Sequence, residues 1–401
     1  MNCVKRLASV FLSLALLLHP AFAMEEADET EWVETMSSTE ELAGKIGAAV
    51  LLERETGTVI YALSEKQHLP IASVTKIMTL LLTAERIDSG EISLEDEVSC
   101  SAYAASMGGS QIFLEEGEKM KLSDLIKSVA VSSANDAAVV LAEYISGSEG
   151  DFVELMNRRA KQLGMEDTLY ANCTGLPCEG EHYSCAYDVG IAACALLSHD
   201  WIREYTTIWT DSVRDGSFGL SNTNKLIRFY PGATGLKTGF TQEAMYCLAA
   251  SAERDGVEYV AIILHAPSSD VRFESAKLLL NHAFANYRLI RFEAAEAIPP
   301  VRVNMGVTEW IQPVPQGENR LLVKAEQARG IRREVQLTES VEAPVAEGSV
   351  LGSIRLLDES GTLLTAQSLV AGESVERVHW KSMLVRYLSL FFTGQHEITI
   401  K

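Results

Sequence analysis

The sequence predicts an α+β fold, an antiparallel sheet flanked by helices with an inserted helical lobe. A small all-β domain and an amphipathic C-terminal helix are expected to follow it. Three observations carry this expectation. Strand-like apolar runs open the folded part and return only after a long helical stretch. Beyond about residue 294 the pattern changes to short strands and turns. From residue 373 apolar residues recur at helical spacing.

The elements follow in order. Gly47 to Glu53 and Thr58 to Leu63 read as two strands around the turn Arg54-Glu55-Thr56-Gly57. Ile71 to Ile87 reads as a helix stopped by Ser89-Gly90. Leu122 to Ile145 carries two helical stretches broken near Ser132-Ser133-Ala134-Asn135. Asp151 to Leu163 is a further helix, and Ser184 is placed to cap the one that runs to about Leu197. Strands return at Thr234 to Phe240, Met245 to Ala252 and Val257 to His265, the last two joined by Arg254-Asp255-Gly256. A helix from Asp270 to Tyr287 closes this part, with Phe273, Ala276, Leu280 and Phe284 on its apolar face. Pro299-Pro300 marks the joint to the short strands at 321–324, 334–337 and 350–354.

The ends carry their own signals. Lys5 and Arg6, the apolar run from Leu7 to about Leu18, and Ala21-Phe22-Ala23 read as a secretory signal peptide over 1–23. Residues 24–42 form an acidic flexible leader. The expected divisions are then 43–293, 294–372 and a tail at 373–401. In the tail, Trp380, Leu384, Tyr387 and Leu388 with Arg377, Lys381 and Arg386 suit a helix lying in a membrane interface. The alternative is a helix packed on the β-domain. The chain is therefore expected outside the cytoplasm, peripheral on the outer face of the cytoplasmic membrane.

With 34 basic against 55 acidic residues the formal charge is −21. A nucleic-acid partner is excluded, since a phosphate backbone demands clustered Lys and Arg. Cys173, Cys178, His182 and Cys185 can be drawn as a zinc site, but the spacing matches no standard knuckle. No metal and no cofactor are expected.

Three short motifs occur once each and in order: Ser73-Val74-Thr75-Lys76, Ser133-Ala134-Asn135 and Lys237-Thr238-Gly239. Ser73 and Lys76 lie one helical turn apart, so the amine reaches the hydroxyl. A serine hydroxyl needs a base, and lysine is one only when its pKa is lowered. The apolar run from Ile77 to Leu82 supplies burial, and Lys237 is a candidate second cation. Ser133 and Asn135 sit at a helix break, where a loop presents a proton-relaying hydroxyl and a substrate-holding amide. A helix-capping role is compatible with this. Lys237 and Thr238 on a strand suit a carboxylate, and Gly239 permits close approach of a ligand backbone.

These motifs, with Leu163-Gly164-Met165, Thr174-Gly175-Leu176-Pro177 and Lys237-Thr238-Gly239-Phe240-Thr241, make the chain resemble the low-molecular-mass penicillin-binding D-alanyl-D-alanine carboxypeptidases. The resemblance runs from about residue 40 to the end. It implies a β-lactamase/transpeptidase-like fold and an acyl-enzyme on Ser73. Lys76 is then the base, and Ser133 the proton shuttle. Asn135 binds the substrate amide. Lys237, Thr238 and Gly239 meet the terminal carboxylate with help from Arg272. The Ser73 and Phe240 N–H groups form the oxyanion hole. The implied partners are peptidoglycan stem peptides ending in D-Ala-D-Ala, with β-lactams as inhibitors.

Two other readings compete. A class A β-lactamase needs a glutamate that activates the deacylating water. Glu154 is the nearest in kind, on a helix with the look of ordinary surface. A non-catalytic β-lactam sensor needs spanning helices and should have lost a motif residue.

Overall fold

The computed structural model describes residues 42, 44–291, 298–317, 320–381, 384 and 388. The expected signal peptide, nearly all of the leader and most of the tail lie outside the described residues. No helix among the described residues is long and apolar enough to cross a membrane.

Five strands form the central antiparallel sheet: β1 (Ala48–Glu53), β2 (Val59–Leu63), β3 (Ala233–Thr241), β4 (Met245–Arg254) and β5 (Val257–Ala266). Their order is β2-β1-β5-β4-β3, so the two N-terminal strands join the three later ones through the β1–β5 ladder. All six residues of β1 are buried. Alternation of side chains across the pleat explains this. Ala48, Val50 and Leu52 face a core shared with the helical lobe. Ala49 and Leu51 face a second core, built with Phe273, Ala276, Leu279 and Leu280 of the closing helix. A strand covered on both faces needs an unbroken apolar run, which Ala-Ala-Val-Leu-Leu provides.

The lobe contains α1 (Lys76–Asp88), α2 (Leu122–Ser132), α3 (Asn135–Ser146), α4 (Glu149–Gln162) and α5 (Ala186–Leu197); α6 (Ser269–Asn286) covers the other face. Gly190 lets α5 settle on the sheet, because a Cβ there would lie 2.4 Å from the Leu52 side chain. The cap of α5 differs from expectation. Cys185, not Ser184, takes that place, its sulfur accepting from the Asp188 N–H. The Ser184 hydroxyl is instead bonded to Thr168.

The C-terminal strands form the expected small β-domain. β6 (Tyr287–Arg291) leads out of α6 and pairs with β10 (Arg320–Lys324). Between them lie β7 (Val301–Asn304), β8 (Trp310–Ile311) and β9 (Pro313–Pro315); β11 (Arg332–Leu337), β12 (Ser340–Glu342), β13 (Val350–Leu357) and β14 (Leu363–Ala371) follow. They assemble as a three-stranded sheet, β8-β7-β12, and a four-stranded sheet, β9-β14-β13-β11. Val301, Val303, Ile311, Leu351 and Ala371 fill one core between them.

Candidate active site

The nucleophile stands on a tight turn rather than on a regular helix. Residues Ala72–Thr75 form a 3-10 turn, and the α-helix begins only at Lys76. Ala72 has φ 48°, an uncommon backbone for a residue with a Cβ. The turn leaves Ser73 half-buried and sends Lys76 wholly inside. The Lys76 Nζ lies 2.9 Å from the Ser73 Oγ, as the three-residue spacing predicts.

Lys76 has a second partner that the sequence did not reveal. Its Nζ donates to the Thr174 carbonyl at 2.7 Å. Burial pushes its pKa down to about 7, against the opposing pull of Cys173 and Asp136. A neutral amine that gives one N–H to Thr174 keeps its lone pair for the Ser73 hydroxyl. Among the described residues no carboxylate hydrogen-bonds either side chain.

The Thr174 carbonyl is held by a built loop. Asn172 Oδ1 accepts from the N–H groups of Thr174 and Gly175, at 3.1 and 2.6 Å. Glu149 takes the Cys173 N–H at 3.0 Å, and Thr79 donates to the Cys173 carbonyl at 2.7 Å. The His182 Nδ1 accepts from the Ala171 N–H, so its Nε2 donates to the Thr75 hydroxyl at 2.8 Å. Burial lowers the His182 pKa to about 4, which keeps the ring neutral in this role. Both ring nitrogens are thus committed, so His182 is not free to complete the zinc set drawn with the cysteines. The one trace of this loop in the sequence was Asn172-Cys173-Thr174-Gly175, an Asx-turn pattern.

Ser133 sits at the expected helix break with φ 65°, ψ 31°, in the left-handed region. Neither it nor Asn135 caps α3. Asn135 Nδ2 donates to the Gly108 carbonyl at 2.6 Å. The buried Ser133 Oγ and Asn135 Oδ1 have no protein partner among the described residues. Such atoms are rare in native proteins and call for an explanation, of which a catalytic role is one. Behind them, the buried Asp136 carboxylate accepts from the Ile112 and Leu114 N–H groups and so fixes the facing loop.

The third motif lies on β3, an edge strand of the sheet. Lys237 is buried, and its Nζ donates to the Thr238 carbonyl at 3.0 Å. Burial, then the charges of Lys76 and Arg272, hold its pKa well below the lysine range. The Thr238 hydroxyl donates to Thr223 at 2.7 Å, and the Thr223 N–H donates to the Val131 carbonyl. Thr223 therefore ties this strand to the Ser133 break. Gly239 also has a packing reason. A Cβ there would lie 2.7 Å from the Ile71 carbonyl and 3.1 Å from the Ser73 nitrogen, so it is the nucleophile turn that needs the space. Phe240 exposes its ring, which tilts over Tyr246 at 4.5 Å. Arg272 donates from Nη1 to the Gly239 and Cys247 carbonyls and packs between Tyr246 and Phe273. It braces β3 and β4 from behind. Glu154 points away, 75% exposed and paired with Arg158.

A family model described as D-alanyl-D-alanine carboxypeptidase matches residues 34–268. The chain belongs to this family. The D-alanyl-D-alanine carboxypeptidase DacF of Bacillus subtilis is 38% identical over 96% of the chain and 98% of that protein. DacD of Salmonella typhimurium is 32% identical over 85% of the chain and 89% of its own length. Among solved structures, penicillin-binding protein 5 from Haemophilus influenzae superposes with a TM-score of 0.74 at 26% identity. That match covers 83% of this carboxypeptidase-family chain and 98% of the other. Penicillin-binding protein D2 of Listeria monocytogenes, solved in the ampicillin-bound form, matches 60% of the chain at 32% identity with a TM-score of 0.53.

Proposed function

We propose that this serine D-Ala-D-Ala carboxypeptidase removes the terminal D-alanine of peptidoglycan stem peptides through an acyl-enzyme on Ser73. The observation that carries the reading is the buried Lys76 amine, lowered to about 7 and 2.9 Å from the Ser73 hydroxyl. Neutral Lys76 takes the Ser73 proton as Oγ attacks the carbonyl between the two D-alanines. The Ser73 and Phe240 N–H groups receive the oxyanion. The proton passes through Ser133 to the departing amine, and D-alanine leaves. Water then cleaves the ester and frees the shortened peptide. Asn135 offers its unpartnered Oδ1 to a substrate N–H. Lys237 and Thr238 hold the terminal carboxylate, whose arrival restores the Lys237 charge, and Arg272 adds positive potential from behind the strand. β-Lactams acylate the same serine.

The division at about 293 into a peptidase and a β-domain, export by residues 1–23, and attachment of the 373–401 tail to the outer face of the membrane belong to this proposal. The signal-like run ending in Ala21-Phe22-Ala23 supports the export, the change to short strands beyond about residue 294 the division, and the interfacial composition of the tail the attachment. A β-lactamase reading is disfavoured because the Thr174 carbonyl, not a carboxylate, meets Lys76.

D-alanine release from a pentapeptide ending in D-Ala-D-Ala tests the reading. The neutral amine is the active form, so the rate should rise with pH and reach half its plateau near pH 7. No release, or a rate that falls through that range, would refute it.

A further inference from the structure

A cavity of about 710 Å³ lies where the β4–β5 turn, the C-terminal end of α6, the start of β6 and the loop between β10 and β11 meet. Tyr259 lines it from the core under α6, on the face of the sheet away from the helical lobe. No residue of the three motifs lines it, so the steps above do not use it.

Its first distinctive feature is charge. Arg254, Arg288 and Arg329 line it from three separate elements. None of them forms an ion pair among the described residues, in a chain with 55 acidic against 34 basic residues. The neighbouring Arg291 and Arg320, by contrast, both hold Glu55. Arg254 donates from Nε and Nη2 to the Pro231 carbonyl and lies over the Phe284 ring at 4.4 Å. Arg288 donates from Nη1 to the Phe284 and Tyr287 carbonyls and so covers the negative end of α6. Arg329 is exposed and bonds to nothing among the described residues. Asp255 is the one carboxylate in the lining, exposed and likewise outside any ion pair among the described residues.

The second feature is a hydrogen-bond donor. Tyr259 is 1% exposed, and its hydroxyl has no partner among the described residues. Burial raises its pKa, so the hydroxyl keeps its proton and stays a donor. A buried donor left unmet is costly and calls for an explanation, of which a bound ion is one. A carboxylate ligand would be matched by a single guanidinium fork. Three guanidinium groups and a phenol suit a group with more charge and more acceptor oxygens, which is phosphate. Val257, Phe284 and Ala285 add an apolar wall for the organic part of a phosphate ester.

We propose that this cavity binds a phosphate ester, with Arg254, Arg288 and Arg329 around its oxygens and the Tyr259 hydroxyl as the buried donor. A soluble organic phosphate and an anionic lipid headgroup present the same group, and the experiment separates them. The full chain is titrated calorimetrically with glycerol phosphate. Its binding to phosphatidylglycerol vesicles is measured alongside. Both measurements are repeated with Arg329→Gln and Tyr259→Phe, and labelled penicillin counts competent protein in each preparation.

For a soluble ligand, glycerol phosphate should bind saturably, more weakly as salt rises, and about 3- to 10-fold more weakly in each variant. For a headgroup, the natural chain should bind the vesicles about 3- to 10-fold more tightly than either variant, a difference that the tail, present in all three, does not produce. Tyr259→Phe should melt with the natural chain in the absence of ligand, because its hydroxyl gives up no protein partner. A clear loss of stability in that variant would show the hydroxyl to be already satisfied and would overturn its role. Saturable binding to neither probe, or binding that both variants leave undiminished, overturns the site.

Discussion

Lys76→Met should lose acylation by a factor of about 10⁴ and yet fold more stably at pH 6. The rate loss follows from removing the base placed on Ser73. The gain in stability follows from linkage. The folded-state pKa is depressed from the ordinary lysine value to about 7 by burial. Below pH 7 both states carry the charge, and the folded protein bears the whole cost of burying it. At 1.36 kcal/mol per pKa unit this is on the order of 4–5 kcal/mol. Losing the Lys76 donor leaves the Thr174 carbonyl unpaired, which costs about 1–3 kcal/mol. The net gain at pH 6 should be about 2 kcal/mol, with methionine filling the volume. As pH rises from about 7 to about 10.4, the folded protein has already released the proton and the unfolded chain has not. The advantage of the variant therefore shrinks across that window and reverses within it, near about pH 8.5. Urea unfolding at several pH values measures this. A variant less stable at pH 6, with a difference that ignores pH, would mean that Lys76 is not a buried, perturbed amine.

Gly175→Ala should damage both the fold and the chemistry. Gly175 has φ +77°, and a Cβ there would lie 1.8 Å from the Ala72 carbonyl oxygen, a rigid backbone atom. The left-handed backbone alone costs an alanine about 1–2 kcal/mol. The overlap must in addition push the 172–176 loop off the nucleophile turn, which brings the total to about 2–4 kcal/mol. The displaced loop carries the Thr174 carbonyl, so Lys76 loses its fixed partner and its aim at Ser73. Acylation should fall by at least about 10²-fold, the usual consequence of a misplacement near 1 Å. Thermal unfolding and penicillin acylation rates check the two effects. A variant with the natural melting point and rate would show that the loop does not position Lys76.

Much of this site was readable before the fold. A Ser and a Lys three apart predict contact because one turn of helix brings them together, and the 3-10 turn achieves it as well. The break at Ser133 was visible from where apolar periodicity stopped, and the strand at Lys237 from a short apolar run ahead of a hairpin. Less readable was anything set by tertiary approach. The Thr174 carbonyl is backbone, so it has no residue signature, and it reaches Lys76 from 98 positions away. Gly239 was read as room for a ligand backbone; only packing shows that the Ile71 carbonyl also requires a glycine there. Ser184 had the right chemistry for a cap, but one residue of register gave that place to Cys185. Arg272 came only from the family resemblance. Its attachment to the Gly239 and Cys247 carbonyls was not legible. The two faces of β1 could not be separated, because a strand buried on both sides carries no alternation.

The central claim is that Ser73 is the residue acylated, in a centre where Lys76 is its base. Intact-protein mass measurement after incubation with a labelled penicillin tests it most directly. The natural chain should gain the mass of one penicillin, located by peptide mapping on Ser73, and Ser73→Ala should gain none. An adduct of undiminished yield on Ser73→Ala, or one mapped to any other residue, would contradict the account.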